Sequence, residues 1–145
     1  MTHSSLYWED VSEGEALPVL VKEVTATTII AGAIATRDFY PLHHDFRFAQ
    51  KAGLKDIIMN NITTGGYLGR YLTDWSGPEG DIKRMKFHLG MPCHPGDTFT
   101  VTGRVTRKYE QAGQHLVDIQ YEVAVNMGDH CTGTATMVLP VRPAE

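Results

Sequence analysis

Residues 60–75 read NNITTGGYLGRYLTDW, and their apolar side chains recur near the period of an α-helix. Three glycines interrupt this pattern, and each would cost about 1 kcal/mol relative to alanine in an exposed helix. A helix that keeps them is better explained as buried, with its backbone close to another backbone or to a ligand. Ser76, Gly77 and Pro78 then end the helix. We therefore predict one long, buried, central helix.

Strand candidates lie on both sides of this helix, and turn residues separate them. The candidates are residues 18–25, 82–89, 98–108, 114–126 and 130–141, with turns at 95–97, 111–113 and 128–129. Two shorter helices are predicted, one over 29–35 capped by Thr27 or Thr28, and one over 46–52 between Asp45 and Gly53. Long strands joined by short loops form antiparallel sheets. The chain therefore predicts a single α+β domain, residues 1–145, whose curved sheet wraps the central helix.

The segment DFYPLHHD, residues 38–45, is the strongest candidate for a catalytic site. Pro41 disfavours a helical conformation at Tyr40, so a bend is expected there. A bend can turn Asp38 and His43 toward one point, where an acid and a histidine facing a water form a general acid–base pair. Taken alone, such a segment is more often a polar surface turn, because Asp and His are common in turns.

Composition excludes several classes of function. The 145 residues carry a net charge of −4, which argues against a nucleic-acid surface. No histidine or cysteine spacing matches a metal site, and no apolar run approaches a membrane span of roughly 18 residues. Cys93 and Cys131 are far apart in the sequence, which favours a reduced, cytoplasmic protein. The basic residues Lys83 and Arg84 are candidates for holding the phosphates of an acidic ligand, or they are a solvated strand edge.

Three stretches resemble one known family. They are residues 7–18 (YWEDVSEGEALP), 38–45 and 92–98 (PCHPGDT), and together they resemble the MaoC-like, or (R)-specific enoyl-CoA hydratase, family. Residues 38–45 match the back half of its hydratase motif, G-D-x-N-P-[LIV]-H-x-[DE], which is the most specific of the three. The chain departs from the family at Arg37, where the family has Gly, at Tyr40, where it has Asn, and at Met59-Asn60, where it has His-Gly. The resemblance implies a hot-dog fold.

The resemblance also implies a reaction and its residues. Asp38 and His43 inherit the catalytic pair of an enzyme that hydrates a trans-2-enoyl thioester of coenzyme A. A backbone N–H at Asn60 or Asn61 would bind the thioester oxygen, where a helix N-terminus favours developing negative charge. Tyr40 would replace the family's Asn through its hydroxyl or line an enlarged pocket.

The same resemblance bears on the acyl chain and on cofactors. Gly65, like Gly69, would let the acyl chain or a partner helix approach the central helix. Coenzyme A is part of the substrate, and neither a metal nor another cofactor is implied.

A narrower resemblance concerns residues 35–39 (ATRDF) and 70–78 (RYLTDWSGP). They are similar to the short catalytic subunit of actinobacterial steroid side-chain enoyl-CoA hydratases. That subunit pairs with a second MaoC-like chain, so a heterodimer or heterotetramer acting on a steroid side-chain thioester is implied. A hot-dog unit has an open sheet edge, which favours side-by-side pairing with a partner or with a second copy.

Three alternatives remain at this point. A hot-dog acyl-CoA thioesterase shares the fold and the ligand, but usually places its carboxylate on or near the central helix, which here carries no acid before Asp74. A homodimeric hydratase of short straight-chain enoyl-CoAs would need no second kind of chain. A non-catalytic partner subunit would be free to lose Asp38 and His43, and both are present.

Overall fold

The computed structural model describes residues 4–143. Its three α-helices and five strands are α1 Ala26–Ala35, α2 Phe46–Lys51, α3 Asn61–Ser76, β1 Leu20–Glu23, β2 Asp81–Leu89, β3 Thr98–Gln111, β4 Gln114–Val125 and β5 Gly128–Val138. Short 3₁₀ turns span Trp8–Asp10 and Pro41–His43. The predicted order of elements is confirmed over these residues. Residues 1–3, 144 and 145 of the predicted domain lie outside the described residues.

The strands form one antiparallel sheet in the order β1-β3-β4-β5-β2. The long strands β3 and β4 are joined by Ala112 and Gly113, both in the left-handed region at φ 53° and 74°. Two such residues form the kind of turn that matches the twist of a hairpin. In the strand order given above, β1 and β2 are the two outer strands of the sheet.

Helix α3 packs its apolar side against this sheet. Leu68 and Leu72 are fully buried, and they share one core with Phe99 and Val101 of β3 and Ile119 of β4. Burying a leucine side chain contributes roughly 1.5–3 kcal/mol. The prediction of a central helix wrapped by an antiparallel sheet is confirmed.

The glycines of α3 differ in how closely they approach the rest of the chain. A Cβ added at Gly65 would lie 3.3 Å from the ring of Phe87, so this glycine does bring α3 close to β2. Among residues 4–143, a Cβ at Gly66 or Gly69 would meet nothing within 4 Å. These two glycines leave room beside α3, and the approach of a ligand or a partner helix there stays a prediction.

Several local boundaries differ from the sequence prediction. β1 spans Leu20–Glu23 instead of 18–25, and β3 continues to Gln111 instead of ending at 108. Helix α1 begins earlier, because Thr25 is its cap and accepts a hydrogen bond from the N–H of Thr28. Thr28 is the return partner of the same capping box, which explains why it looked like a cap. The last turn lies at residues 126–127, since β4 and β5 stay paired up to Val125 and Gly128.

The elements that precede α3 converge on its first turn. The end of α1, the 3₁₀ turn and α2 follow one another, and the chain then returns beside them. The N–H of Ile58 donates to the carbonyl of Leu42, and the N–H of Met59 donates to that of Cys93. The segment before α3 is thereby held between the loop of residues 38–45 and the segment that leads into β3.

Candidate active site

Asp38 and His43 come together as the sequence predicts. The extended conformation of Tyr40, at φ −63° and ψ 129°, bends the chain ahead of Pro41. The Oδ2 of Asp38 then lies 3.3 Å from the Nε2 of His43. The His43 side chain is 10% exposed and that of Asp38 is 26% exposed, so the pair is recessed but reachable from solvent.

The backbone fixes the tautomer of His43. Its Nδ1 lies 2.7 Å from the carbonyl oxygen of Ile58, and a carbonyl oxygen can only accept, so Nδ1 carries a proton. In the neutral ring, Nε2 then presents a lone pair toward Asp38. Because Oδ2 is also an acceptor, the two atoms can both receive hydrogen bonds from one water. That is the arrangement of a general base.

Asn60 holds the carboxylate of Asp38 from the other side. Its Nδ2 donates to Asp38 Oδ2 at 3.0 Å and to Thr36 Oγ1 at 2.9 Å. Its Oδ1 accepts the N–H of Thr63 at 3.0 Å and so caps α3. The hydrogen bond from Asn60 lowers the pKa of Asp38, with smaller help from the N–H of Tyr40 and the charge of His43 and against the opposing effect of burial. Asp38 is therefore an ionised carboxylate near neutral pH.

The first turn of α3 supplies donors next to this pair. The opening N–H groups of a helix have no acceptor within it, and the positive end of the helix dipole lies there. Asn60 caps the N–H of Thr63, and the N–H of Thr64 bonds to the carbonyl of Asn60. Among residues 4–143, the N–H groups of Asn60, Asn61 and Ile62 have no hydrogen-bond acceptor and can serve as donors to an oxyanion. The oxygen-binding role of Asn60 or Asn61 therefore stays a prediction for both residues.

The other predicted site residues lie in different settings. Tyr40 is 53% exposed, and its ring stands edge-on to those of His43 and Phe48, at 6.2 and 5.8 Å between centroids. Its backbone N–H, at 3.4 Å, supports Asp38 Oδ1, whereas its hydroxyl makes no such contact within residues 4–143. Gly65 lies one turn into α3, facing Phe87.

Lys83 and Arg84 are not brought to this pair within the chain. They lie near the start of β2, which follows the end of α3, whereas Asp38 and His43 meet at its start. The Lys83 ammonium donates to Gln114, and Arg84 borders a shallow groove on the sheet. Their assignment to the coenzyme's phosphates stays a prediction.

No group of three or more His, Cys, Asp or Glu side chains over residues 4–143 is arranged to hold a metal ion. No helix in that part of the chain is long and apolar enough to cross a membrane.

A family model described as the MaoC like domain matches residues 13–127. The chain belongs to the MaoC-like family. Over 124 residues this MaoC-like chain is 38% identical to the 3-oxo-4,17-pregnadiene-20-carboxyl-CoA hydratase beta subunit of Mycobacterium tuberculosis, across 86% of this chain and 93% of that one. The family and this relative make the chain a hydro-lyase, an enzyme that adds or removes water.

Solved structures agree with this placement. The ChsH1-ChsH2 complex from Mycobacterium tuberculosis matches with a TM-score of 0.82 and 37% identity, over 88% of this chain and 98% of the matched one. The (R)-hydratase PhaJ1 of Pseudomonas aeruginosa matches with a TM-score of 0.84 over 97% of this chain and 93% of its own, at 18% identity, which speaks for the fold alone. The predicted hot-dog fold is confirmed.

Arg37 shows why this MaoC-like chain can depart from the family's glycine without losing the bend. Arg37 has a φ of 56°, its N–H donates to the carbonyl of Ile34, and the N–H of Asp38 donates to that of Ala33. These bonds form a Schellman motif, whose left-handed position usually holds glycine. The motif ends α1 and turns Asp38 out of the helical path toward Asn60.

The sequence prediction missed two contributions to the site. The side chain of Asn60 was not expected to contact Asp38, although an Asn ahead of a helical pattern is itself a signal of a cap. His130 of β5 was not considered at all. Its Nε2 lies 3.0 Å from the Thr64 hydroxyl and its Nδ1 lies 2.7 Å from the Met91 carbonyl oxygen, so it ties the first turn of α3 to the sheet. No local sequence pattern marks such a contact.

Proposed function

We propose that this chain is the catalytic subunit of an enoyl-CoA hydratase that adds water across the 2,3-double bond of a trans-2-enoyl-CoA. The observation that carries the proposal is the distance of 3.3 Å between Asp38 Oδ2 and His43 Nε2, at the start of α3. A general base and a set of oxyanion donors are thus adjacent. These are the two parts that addition of water to a conjugated thioester requires.

The chemistry follows from the positions of these groups. The N–H groups at the start of α3 donate hydrogen bonds to the thioester oxygen and stabilise the negative charge that develops there, which makes the β-carbon electrophilic. A water in contact with both members of the pair gives a proton to His43 Nε2 while its oxygen bonds to the β-carbon. The electron pair of the double bond moves to the α-carbon, which takes a proton back from the pair. Asp38 orients the water and stabilises the imidazolium.

The reactants of the proposed reaction indicate whether a cofactor is needed, and the two cysteines bear on the compartment. Water is the second reactant, and coenzyme A enters as part of the substrate, so the proposed reaction calls for no other cofactor. Cys93 and Cys131 are buried free thiols, which are typical of a reducing compartment, and we propose the cytoplasm.

We propose a steroid side-chain thioester as the substrate and a second MaoC-like chain as the partner. The support is the 38% identity to a subunit whose name specifies a pregnadiene carboxyl-CoA, and the match to a chain in a two-component complex. Tyr40, Gly65, Lys83 and Arg84 remain proposed contacts of the acyl chain or the coenzyme.

The thioesterase alternative has less support. Asp74 is the first acid along α3, and it forms an exposed ion pair with Arg70 at 3.2 Å near the end of the helix. A carboxylate there lies at the opposite end of α3 from the oxyanion donors. It cannot serve an acyl group bound at the start of the helix.

Substitution of the pair tests the proposal. We expect Asp38→Asn and His43→Ala each to lower the rate of hydration by about 10²–10⁴-fold, because each removes a positioned acid or base. Loss of the conjugated enoyl-thioester absorbance measures the rate, with steroid side-chain enoyl-CoA and with crotonyl-CoA. The protein is purified from its host together with any bound chain, and mass spectrometry identifies that chain.

His44→Ala is the matched control, because His44 is the exposed neighbour of His43 and forms no hydrogen bond with Asp38 or Asn60 among residues 4–143. It should retain hydratase activity. Full activity in both pair variants would contradict the assignment of the site. Release of free thiol without hydration would support the thioesterase. High activity on crotonyl-CoA by the chain alone would contradict the heteromer.

A further inference from the structure

The amide of Asn60 uses all of its hydrogen-bonding groups on parts of the site. Asn60 is 1% exposed, and its two N–H donors go to Thr36 and Asp38 while its oxygen accepts from Thr63. The three partners belong to the end of α1, to the catalytic loop and to the first turn of α3. One buried side chain therefore joins the three segments that build the site.

The orientation of this amide follows from its partners. The carboxylate of Asp38 only accepts, and the backbone N–H of Thr63 only donates, so Nδ2 must face Asp38 and Oδ1 must face Thr63. The Thr36 hydroxyl gives its own proton to the carbonyl of Gly32, at 2.8 Å, and so has a lone pair for Asn60. A flipped amide would leave two mismatched contacts in a buried place, which costs about 1–3 kcal/mol for each.

We propose that Asn60 is a positioning residue for hydration, which aims the carboxylate of Asp38 at His43 and holds this pair in register with the oxyanion donors of α3. This role rests on the proposed function and deepens it. Because one side chain contacts both Asp38 and Thr63, it links the position of the carboxylate to the first turn of α3.

The surroundings of Asp38 make this role testable. Among the described residues, His43 is the titratable side chain that faces Asp38; α1 and the first turn of α3 present Thr36 and Asn60, and Arg37 precedes Asp38 on its own loop. The bond from Asn60 is the largest contribution that lowers the pKa of Asp38. Removal of the amide should raise the pKa of this carboxylate.

Asn60→Ser separates positioning from helix capping. A serine oxygen still caps the N–H of Thr63, but its side chain is too short to reach Asp38. We expect kcat to fall by about 10²-fold with KM changed less than about threefold, because misplacement of a reacting group acts on the transition state. In the Asp38→Asn background the same substitution should change kcat by less than about threefold, since the carboxylate it acts through is gone.

An NMR titration of the Asp38 carboxyl tests the contact between Asn60 and Asp38 independently of enzyme activity. With ¹³C-labelled protein, the pKa of Asp38 should be higher in Asn60→Ser than in the wild type. Asn60→Asp keeps the size and the cap oxygen, so it serves if the serine variant fails to fold. The two facing carboxyls should then titrate with an apparent pKa above that of Asp38 alone.

Asn126→Ser is the matched control, because Asn126 joins two loops through Thr98 and Gly96, outside the site. It should leave both kcat and the Asp38 titration unchanged. An unchanged pKa of Asp38 in the Asn60 variants would overturn the inference, as would an equal loss of kcat in the Asp38→Asn background. If Asp38→Asn itself keeps full activity, the proposed function fails, while the titration still reports whether Asn60 holds the carboxylate.

Discussion

At the scale of single residues, Arg37 has a left-handed backbone conformation, which residues other than glycine rarely adopt. A left-handed conformation costs an L-residue other than glycine roughly 1–2 kcal/mol, and Arg37 has a φ of 56°. The Schellman bonds from Arg37 and Asp38 to α1 hold this conformation. The strain lies next to the catalytic acid, because the chain must leave α1 abruptly for Asp38 to meet His43.

Substitutions at Arg37 should follow this conformation. We expect Arg37→Val to lower the free energy of unfolding by about 1–3 kcal/mol, since a β-branched residue is poorly tolerated at positive φ. Arg37→Gly should change it by less than about 1 kcal/mol, because glycine relieves the strain but loses more backbone entropy. Urea unfolding measures both. Arg47→Val in α2 is the control and should lose at most about 0.7 kcal/mol; equal losses at the two arginines would contradict the strain.

At the scale of elements, the site depends on how closely α1 approaches α3. A Cβ added at Gly32 would lie 2.3 Å from the Thr63 hydroxyl, so a side chain there would force Thr63 or the helices to shift. Thr36 and Asp38 follow Gly32 along the chain, and both bond to Asn60 at the cap of α3. The close approach at Gly32 therefore sets the distance over which the Asn60 amide can reach both partners.

A methyl group at Gly32 should push the helices apart. We expect Gly32→Ala to destabilise the fold by about 1–3 kcal/mol through overpacking, despite the better helix propensity of alanine. Thr63→Ala removes the clashing atoms, so the loss should be smaller in that background. Gly66→Ala is the control, because its Cβ meets nothing within 4 Å, and it should stabilise the isolated chain by up to about 1 kcal/mol. Urea unfolding compares the free energies of unfolding of the wild type, the three single variants and the Gly32→Ala/Thr63→Ala double variant. Wild-type stability of Gly32→Ala would contradict the close approach of α1 to α3.

At the scale of the whole molecule, sheet and helix are joined at the site by a buried histidine. His130 is 3% exposed, its ring lies 5.6 Å from that of Phe99, and it bonds to Met91 and Thr64. Burial lowers the pKa of His130 below its usual 6.5, against the bond to Met91 and the charge of Asp97, which raise it. The folded chain therefore keeps this ring neutral, and protonation of the ring opposes folding.

The sign of the resulting pH dependence follows from linkage. The unfolded chain takes up a proton on His130 near pH 6.5, whereas the folded chain resists until a lower pH. The contribution of His130 to stability is thus complete above about pH 6.5, the pKa of the unfolded chain, and is lost as the pH falls toward the lower pKa of the folded chain. We expect His130→Asn, which cannot titrate, to flatten the fall in the free energy of unfolding as the pH drops below about 6.5. Chemical unfolding at several pH values tests this, with the exposed His44→Asn as control; an unchanged slope would refute it.

Much of this molecule follows from local sequence signals. The helix of residues 60–75, the four long strands and the bend at Pro41 are set by periodicity, turn residues and proline geometry, which act over a few residues. The cap of α1 was misplaced by a few residues, because Thr25 and Thr28 are both parts of one capping box. Boundaries of this kind depend on small differences between competing caps, which the sequence pattern does not rank.

The sequence by itself determined which residue types stand in the catalytic loop and that Asp38 and His43 can face one another. Only the tertiary structure decided that the Asn60 amide reaches Asp38, across 22 positions, and that His130 reaches Thr64, across 66. It also decided that Gly32 faces Thr63, while a Cβ at Gly66 or Gly69 would meet no other element of the described chain within 4 Å. Such contacts depend on how whole elements pack, because the side chains involved are distant in the sequence and no local periodicity encodes their meeting.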